Sequence, residues 1–459
     1  MITFALVAVL LAFPALGSPL STSAESLIPG GGGLDLAPII SRPSAEQTAI
    51  PNQYIVVLKP EATLDDLNAH AAAVQSYDES NPLIHIFDGP LKGVVGKFSD
   101  ATVDKIRAMP KVGYVERDQM LNAVDRSITK RNVVTQRGAP WGLARISHQE
   151  RLSFRTFDKY IYNDQGGTGV DVYVIDSGIN IGHVDFEGRA HWGHTVPAGD
   201  RDEDGNGQGT HCAGTIAGKT YGVAKKAQVY AVKVLRSNGS GSVSDAIAGV
   251  NWASKQAQAR AIEAIKEFRA TGKTSHKGSV ANMFSRSNGS SALNDAVNAA
   301  VRNGMHFAAA AGDNNSDACD YSPAAAELPI IVGASTISDD RASFSNYGKC
   351  LDIFAPGRDI TSTWIGNKYA INTISGTSMA SSHTAGLLAY LLSLQDPRSP
   401  APGSGDSYYN ADGSLDVTQF GAMTPAELLS ILIDLSGEDK LSNIPPLTNN
   451  FLIYNNEAR

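Results

Sequence analysis

The stretch VYVIDSG at residues 172–178 decides the fold class, because an apolar run ends there in an acidic turn. A run without polar alternation is typical of a strand buried on both faces of a parallel sheet. Predicted elements alternate around it, with strands at 229–235, 279–283, 305–311 and 330–333, and helices at 210–217, 243–253, 293–303 and 384–394. This alternation predicts an α/β domain over residues 141–397, built on a doubly wound parallel sheet.

A smaller module precedes this domain over residues 52–120. Its patterns predict helices at 64–74 and 101–109, and strands at 54–58, 83–87, 93–98 and 112–115. The order strand-helix-strand-strand-helix-strand is that of the split βαβ motif. We therefore expect a small α+β ferredoxin-like domain in front of the α/β domain.

The remaining segments differ in composition from both domains. Residues 1–17 are apolar and end in small residues, which predicts a signal peptide rather than a buried helix. Residues 18–51 are rich in Ser, Gly and Pro and predict a flexible leader. The polar, basic segment 121–140 contains Lys130-Arg131 and predicts an exposed processing junction. Residues 398–459 are expected to form a C-terminal extension with one capped helix, packed on the α/β domain.

Composition limits the classes of partner. With 42% hydrophobic and 18% charged residues, the 459-residue chain is typical of a soluble globular protein. A net charge of −8 gives no electrostatic reason to expect nucleic acid or an anionic membrane as a partner. We expect a monomer that enters the secretory pathway and reaches the vacuole or the extracellular space. Three cysteines allow one disulfide and leave one thiol over.

Two residues are candidates for chemistry on their local sequence alone. Asp176 ends the apolar strand, at the sheet edge where the sites of parallel sheets gather, although a strand-end Asp is often only a turn former. Ser378 stands in ISGTSMASSH at 374–383, just before an apolar helical pattern. The unpaired amides and the dipole of a helix N-terminus favour negative charge, which suits a nucleophilic oxygen and the oxyanion it creates. A helix cap is the plain alternative for this serine.

The order of three motifs identifies a family. DSG at 176–178, GTHCAGT at 209–215 and GTSMA at 376–380 together resemble the subtilase family of serine proteases, and within it the proteinase K branch of fungal vacuolar, cerevisin-like proteases. The resemblance implies a subtilisin-like fold for the α/β domain and an inhibitory, chaperoning propeptide for residues 52–120. It also implies peptide-bond hydrolysis by an Asp-His-Ser triad, with a polypeptide substrate or peptide ligand and the chain's own propeptide as partners. No cofactor is required.

The triad is incomplete in this sequence. Asp176 and Ser378 match two of its members, but the position of the histidine holds Gln208, in QGTH at 208–211. His211 matches a second histidine of the motif, which is structural in the family. A carboxamide neither accepts nor releases a proton near neutral pH, and the reaction needs a group that does both. We therefore predict an inactive or severely impaired homologue; the alternatives are an active endopeptidase and a non-catalytic pseudoprotease that binds peptides.

The positions that hold substrate also depart from the family pattern. Asp313 stands where the family has an asparagine that donates to the oxyanion. The family's Ser-Leu-Gly-Gly wall is replaced by Phe284-Ser285-Arg286-Ser287, through divergence or a gene-model error, and Ser382 replaces a proline. The opposite edge, Asn238-Gly239-Ser240-Gly241, is intact. The resemblance assigns both four-residue segments to substrate binding.

Other assignments concern covalent structure and metal. Cys319 and Cys350 resemble a disulfide pair of the cerevisin-type proteases, the alternative being two buried thiols, and Cys212 resembles a buried free cysteine beneath the site. Asp352 matches a calcium-ligating residue, so calcium is a possible structural ion. Sequons at Asn238, Asn288 and Asn314 are candidates for glycosylation.

Overall fold

The computed structural model describes residues 36–40, 49–77, 82–88, 92–119, 132–284, 289–395, 420 and 423–457. It divides the chain into two compact units, residues 1–125 and 126–459. The predicted signal peptide, the basic pair Lys130-Arg131 and the site candidates Ser285, Arg286, Ser287 and Asn288 lie outside the described residues. In the part of the chain that the structure describes, no helix is both long and apolar enough to cross a membrane.

The first unit is a sheet with two helices. Its elements are β1 (Ile39–Ile40), β2 (Ala49–Leu58), α1 (Leu64–Tyr77), β3 (His85–Asp88), β4 (Lys92–Lys97), α2 (Asp100–Arg107) and β5 (Val112–Gln119). The strand order is β1-β5-β2-β4-β3, which contains the predicted split βαβ motif. The predicted flexible leader is wrong for residues 39–40 and 49–51, because β1 pairs with the edge of β5 and β2 begins before the apolar residues that predict it.

The second unit is built on a nine-stranded sheet in the order β17-β18-β14-β13-β12-β11-β8-β10-β9. Its strands are β6 (Val133–Arg137), β7 (Lys159–Asn163), β8 (Val170–Asp176), β9 (Ala190–Thr195), β10 (Gln228–Lys233), β11 (Gly278–Met283), β12 (His306–Ala310), β13 (Ile330–Ser335), β14 (Ile353–Pro356), β15 (Ile360–Thr363), β16 (Ile371–Ile374), β17 (Gly437–Glu438) and β18 (Phe451–Leu452). Its helices are α3 (Trp141–Ile146), α4 (Gln208–Ala217), α5 (Val243–Thr271), α6 (Ser291–Arg302), α7 (Thr377–Ser393) and α8 (Pro425–Leu435). The sheet is parallel from β9 to β18, as a doubly wound α/β domain requires.

Strand β8 lies in the middle of the core, and every one of its residues is buried. Val172 and Val174 join the cluster that contains α4 and α7, whereas Tyr173 and Ile175 join the cluster that contains α5 and α6. Alternate side chains of a strand point to opposite faces, so an apolar residue is needed at every position. The continuous run in the sequence is therefore explained by helices on both faces.

Two helices are longer than their apolar patterns predict. α5 continues to Thr271 because its face stays buried: Ala257 belongs to the core cluster, and Ala261 and Ala264 pack in a small separate cluster with Phe420. Its C-cap is Gly272, with φ +71°. α7 begins at Thr377, seven residues before its apolar pattern, and is buried throughout. Its first turns are polar in sequence, so the helical period is hidden there.

The C-terminal extension lies on the second unit where the structure describes it. Thr424 and Glu427 form a capping box at the start of α8. Phe354 of β14 pairs in parallel with Leu452 of β18, and β17 pairs with the other side of β18. The extension thus adds two strands to the sheet, in addition to the predicted helix.

Candidate active site

Three sequence-predicted residues meet at the carboxyl edge of the sheet. Asp176 ends β8, Gln208 is the first residue of α4, and Ser378 is the second residue of α7. Nε2 of Gln208 lies 3.3 Å from Oδ2 of Asp176 and 3.5 Å from Oγ of Ser378. The carboxamide therefore stands between the carboxylate and the hydroxyl.

The start of α4 is held against β8 by Asp204, which sequence reasoning did not single out. Its Oδ1 accepts hydrogen bonds from the Ser177 hydroxyl at 2.9 Å and the Gly207 amide at 2.8 Å. Its Oδ2 accepts from the amide of Thr210 at 3.0 Å and from its hydroxyl at 2.5 Å. Asp204 lies three residues before Gly207, the N-cap of α4, so it does not occupy the position of a helix-cap signal, and its bond to the strand-end turn is a tertiary contact.

Close backbone approach fixes the same junction. A Cβ atom on Gly209 would lie 2.1 Å from the carbonyl oxygen of Gly178, so no larger residue fits there without moving α4. Gly207 has φ +104°, in the left-handed region that favours glycine. A Cβ atom on Gly207 would lie 2.5 Å from the ring of Trp364. The glycines around Gln208 therefore determine where its side chain begins.

Asp176 is only 1% exposed, and its surroundings include some groups that raise its pKa and others that lower it. Burial raises the pKa of the carboxyl to about 7, and the nearby carboxylate of Asp204 adds to that rise. Hydrogen bonds from the Ser177 amide and from Gln208 lower the pKa of Asp176. The net effect is that Asp176 holds a proton more readily than an exposed aspartate does.

The thiol of Cys212 lies beneath these residues, as expected. Its Sγ is 3.7 Å from Oδ2 of Asp176 and 3.9 Å from the carbonyl oxygen of Ser378. Burial raises the pKa of Cys212 well above its ordinary value, so the thiol stays protonated. The hydroxyl of Ser382 donates to the same Ser378 carbonyl at 2.7 Å and accepts from Nδ2 of Asn282 at 3.2 Å. The serine that replaces the family's proline is thus part of the support of α7.

His211 is not placed to serve Ser378. It is fully buried, and its Nε2 lies 2.9 Å from the carbonyl oxygen of Ile360, on β15. Burial lowers its pKa to about 4. Among the described residues, the hydrogen-bonding neighbour of the Ser378 hydroxyl is Gln208, and no histidine takes that place.

Asp313 binds the first residue of α7. Its Oδ1 accepts from the Thr377 amide at 2.7 Å and from the Thr377 hydroxyl at 2.9 Å. The hydroxyl of Thr377 in turn accepts from the Gly312 amide at 3.0 Å. A carboxylate therefore covers the helix end beside Ser378, where positive partial charge is concentrated.

A cavity of about 250 Å³ opens beside Gln208. It brings together four of the predicted substrate-binding residues, Gly239, Ser240, Gly241 and Phe284. The rest of its wall is largely apolar and consists of Val234, Leu235, Ser242, Val243, Ala246, Met283, Leu293 and Ser322. A peptide with an apolar side chain fits this chemistry. Asn238 does not line the cavity but precedes Gly239 at its rim.

Cys319 and Cys350 form a disulfide with an S–S distance of 2.13 Å, and Cys212 is the free thiol. The alternative of two buried thiols at these positions is therefore wrong.

Asp352 serves the backbone of the neighbouring strand in the structure. Its Oδ2 accepts from the Ile331 amide at 2.8 Å, and burial raises its pKa to about 6. Within the described ranges, no three His, Cys, Asp or Glu side chains gather as a metal site. The side chains around Asp352 thus do not by themselves provide the oxygen cage of Ca²⁺, which takes six to eight ligands. Calcium at this position stays a prediction.

Comparisons with known proteins agree with the fold. A model of the Subtilase family matches residues 167–404, and a model of Peptidase inhibitor I9 matches residues 53–123. A subtilisin-like protease of Coccidioides posadasii (strain C735) is 49% identical over 443 residues, covering 92% of this chain and 84% of the relative. The subtilisin-like serine protease Pen c 2 of Penicillium citrinum is 49% identical over 464 residues, covering 96% of this chain and 94% of the relative.

A solved structure gives the same result at the level of the fold. The crystal structure of a cold adapted subtilisin-like serine proteinase superposes with a TM-score of 0.56 at 36% identity, covering 69% of this chain and 98% of that chain. The parallel sheet, the matched family models and the curated relatives lead to one assignment. The chain belongs to the subtilase family of serine proteases and carries an I9 inhibitor domain at its N-terminal side.

Proposed function

We propose that this chain is a subtilisin-like homologue that binds peptides in its cleft and hydrolyses them slowly or not at all. The observation that carries the proposal is the position of Nε2 of Gln208, between Oδ2 of Asp176 and Oγ of Ser378. The amide nitrogen can only donate hydrogen bonds. Gln208 therefore points an N–H group at the Ser378 hydroxyl, whereas the reaction needs an acceptor for the hydroxyl proton at that place.

The missing proton acceptor affects both halves of the reaction. Peptide hydrolysis through an acyl-enzyme needs one group that removes the Ser378 proton and then protonates the leaving amine. Gln208 does neither at neutral pH. In subtilisin, a member of the same family, loss of the corresponding histidine lowers kcat by roughly 10⁶, or about 8 kcal/mol. We expect a loss of this order here.

Asp313 adds a second obstacle. An anionic intermediate at Ser378 needs hydrogen-bond donors, and the ionised side chain of Asp313 is an acceptor that repels it. Its bonds to Thr377 also occupy part of the helix end that would stabilise the negative charge. Removal of one such donor in subtilisin costs about 10²–10³ in kcat.

Peptide binding is supported by what the cleft retains. Gly239, Ser240 and Gly241 border the same apolar cavity as Gln208 and Phe284. Small residues leave room for a peptide backbone to pair along the edge of the cleft. We propose that a polypeptide or the chain's own I9 domain is the ligand, that calcium is at most a structural ion, and that the protein is a monomer.

A consequence concerns maturation. Without a proton acceptor the chain should not cut itself between the I9 domain and the protease domain. We therefore propose that the precursor stays intact, or that another protease cuts it near Lys130-Arg131. The disulfide Cys319–Cys350 supports passage through the oxidising secretory pathway. We propose a vacuolar or extracellular destination.

The test compares the chain as written with Gln208→His, Asp313→Asn and the double variant, each from a host that lacks other secreted proteases. Turnover of a chromogenic peptide and labelling by a serine-directed phosphonate are measured, with Ser378→Ala as the blank in every background. We expect the unmodified chain to match its blank and to keep its full precursor mass. Turnover at ordinary protease rates would instead support the alternative of an active endopeptidase.

A further inference from the structure

We propose that Asn238 and Asn314 carry N-linked oligosaccharides that stand on opposite sides of the candidate active site and restrict its cleft to small or extended ligands. The two sequons are NGS at 238–240 and NNS at 314–316. Both asparagines lie on loops that border the candidate active site, and their modification goes beyond the proposed loss of hydrolysis.

Asn238 is exposed, and its side chain is arranged so that a sugar disturbs little. Its Oδ1 accepts from the amide of Ser240 at 2.9 Å and from its hydroxyl at 2.7 Å. Within the described part of the chain, Nδ2 of Asn238 has no hydrogen-bond partner. Attachment at Nδ2 therefore leaves the turn intact and directs the sugar to solvent.

This turn belongs to the cleft. Gly239, Ser240 and Gly241 line the cavity beside Gln208. A Cβ on Gly239 would lie 2.9 Å from the side chain of Asn206, and Oδ1 of Asn206 accepts from the Gln208 amide at 3.3 Å. A sugar on Asn238 thus begins one residue from the cavity wall.

Asn314 occupies the other side of the site. It is exposed and follows Asp313, whose carboxylate binds Thr377 next to Ser378. Its backbone amide donates to Oδ1 of Asn346 at 3.0 Å, which fixes the loop, while its own side chain has no partner among the described residues. A sugar at this position starts beside the turn that presents the serine.

The sheet order separates the two asparagines across the site. Asn238 follows β10 and Asn314 follows β12, and both strands end at the same edge as β8. β8 and β11 lie between them, so three strand spacings of about 4.8 Å place the two strand ends roughly 14 Å apart. The oligosaccharides would therefore flank Gln208 and Ser378 rather than crowd one side.

The modification has a simple chemical balance. A lipid-pyrophosphate-linked oligosaccharide is the donor, and the Asn nitrogen attacks the anomeric carbon of its first sugar. A carbon–nitrogen bond forms, the carbon–oxygen bond to pyrophosphate breaks, the lipid pyrophosphate leaves and the nitrogen loses one proton. N-linked oligosaccharides are bulky and hydrophilic, so a pair of them narrows the approach of a folded protein more than that of a short peptide.

The first measurement maps occupancy on the full chain, secreted by a glycosylating eukaryotic host. Glycopeptide mass spectrometry is expected to find oligosaccharide on both Asn238 and Asn314. Matched variants test each sequon: Ser240→Thr and Ser316→Thr should keep the modification, whereas Ser240→Ala and Ser316→Ala should lose one oligosaccharide each. An unmodified Asn238 or Asn314 in the secreted chain would overturn the proposal, whatever the activity of the protein.

The second measurement tests access in the Gln208→His variant. An endoglycosidase that leaves one sugar on each Asn is expected to raise hydrolysis of intact casein several-fold and to leave hydrolysis of a short chromogenic peptide unchanged. Equal casein rates before and after treatment would overturn the shielding role. If this variant hydrolyses neither substrate, the failure counts against the account of Gln208, and the occupancy map alone decides this inference.

Discussion

Gln208 donates from Nε2 to Oδ2 of Asp176 over 3.3 Å. The bond keeps the buried carboxylate in contact with a donor, as an imidazole would in a working triad. The substitution therefore keeps a hydrogen bond to Asp176, but it removes proton exchange. Gln208 thus preserves a contact of the fold and lacks the proton transfer that the reaction needs.

Replacing Gln208 by His should restore turnover. We expect kcat to rise by on the order of 10³ or more, because the ring would stand between the same two partners and supply a proton acceptor. The rate of this variant should increase with pH through the pKa of an imidazole, near 6.5. Steady-state kinetics from pH 5 to 9 measures this.

Gln208→Asn is the matched control, since its amide has no comparable proton exchange and should give no turnover. A Gln208→His variant that folds but shows no gain would mean that Asp313 or the rebuilt wall at Phe284 is the dominant obstacle. Adding Asp313→Asn then separates these two causes.

Asp176→Asn should stabilise the protein at alkaline pH. Burial raises the folded-state pKa to about 7, against about 3.9 in an unfolded chain. A raised carboxyl pKa gives stability that is present at low pH and is lost as the pH rises through about 7. Removing this carboxyl should therefore raise the free energy of unfolding at pH 8 by on the order of 2–4 kcal/mol, with little effect near pH 4.

Urea unfolding at the two pH values checks this, with Asp204→Asn as a contrast. Asp204 accepts five hydrogen bonds of 3.0 Å or less, three of them from backbone amides, so its loss should destabilise at either pH. Asp176 accepts one short bond, from the Ser177 amide, and longer ones from Gln208 and Cys212. A destabilised Asp176→Asn at pH 8 would contradict the expectation.

The first unit should lose stability in acid because of His70. Its side chain is 5% exposed, and neither ring nitrogen has a hydrogen-bond partner among the described residues. Burial lowers its pKa to about 4, against about 6.5 in an unfolded chain. The stability that the neutral ring contributes is present above about pH 6.5 and is lost as the pH falls through about 4. The free energy of unfolding should fall by about 2 kcal/mol over this range.

Hydrogen exchange of the β2 and β5 amides in the full chain, corrected for intrinsic pH effects, reports this loss. His70→Leu removes the titrating group and should flatten the pH dependence between 6.5 and 4. An equally steep dependence in that variant would show that other groups in the first unit are responsible.

Gly209→Ala should separate α4 from β8. The new methyl group would clash with the Gly178 carbonyl oxygen, which is a backbone atom and cannot move away by a change of rotamer. We expect a loss of about 1–3 kcal/mol in the free energy of unfolding. Gly182→Ala is the control, because the nearest atom to its methyl group would be 3.9 Å away. Thermal unfolding of both variants tests the difference, and equal melting temperatures would refute it.

The sequence predicts the fold where the local pattern of residue types has a single structural explanation. The apolar run at 172–175 has one explanation, burial on both faces, and the structure has helices on both. Likewise, Thr424 and Glu427 are a local cap that needs no tertiary partner to be recognised. The full length of α5 could not be predicted in this way, because alanine supports a helix without marking its buried face.

The geometry of the site is harder to predict from the sequence, because it depends on contacts between segments that are far apart in the chain. The motif order brings Asp176, Gln208 and Ser378 to one edge, but it does not say toward which atoms the carboxamide of Gln208 points. The bond between Asp313 and Thr377 spans 64 positions and has no local signal. Asp204 shows the same limit, because it lies outside the N-cap position of α4 and its bond to Ser177 spans 27 positions.

The pairing of β14 with β18 has a consequence for synthesis on the ribosome. Leu452 lies almost a hundred positions after its partner Phe354, and β13 covers only the other side of β14. Because the polypeptide is synthesised from its N-terminus, β14 forms before its partner strand β18 exists. Until then the backbone amides and carbonyls on that edge of β14 are unpaired and can pair with a strand of another chain. Chaperone demand during translation should therefore peak before residues 451–452 appear, and ribosome-bound intermediates that stop short of them should be the aggregation-prone ones.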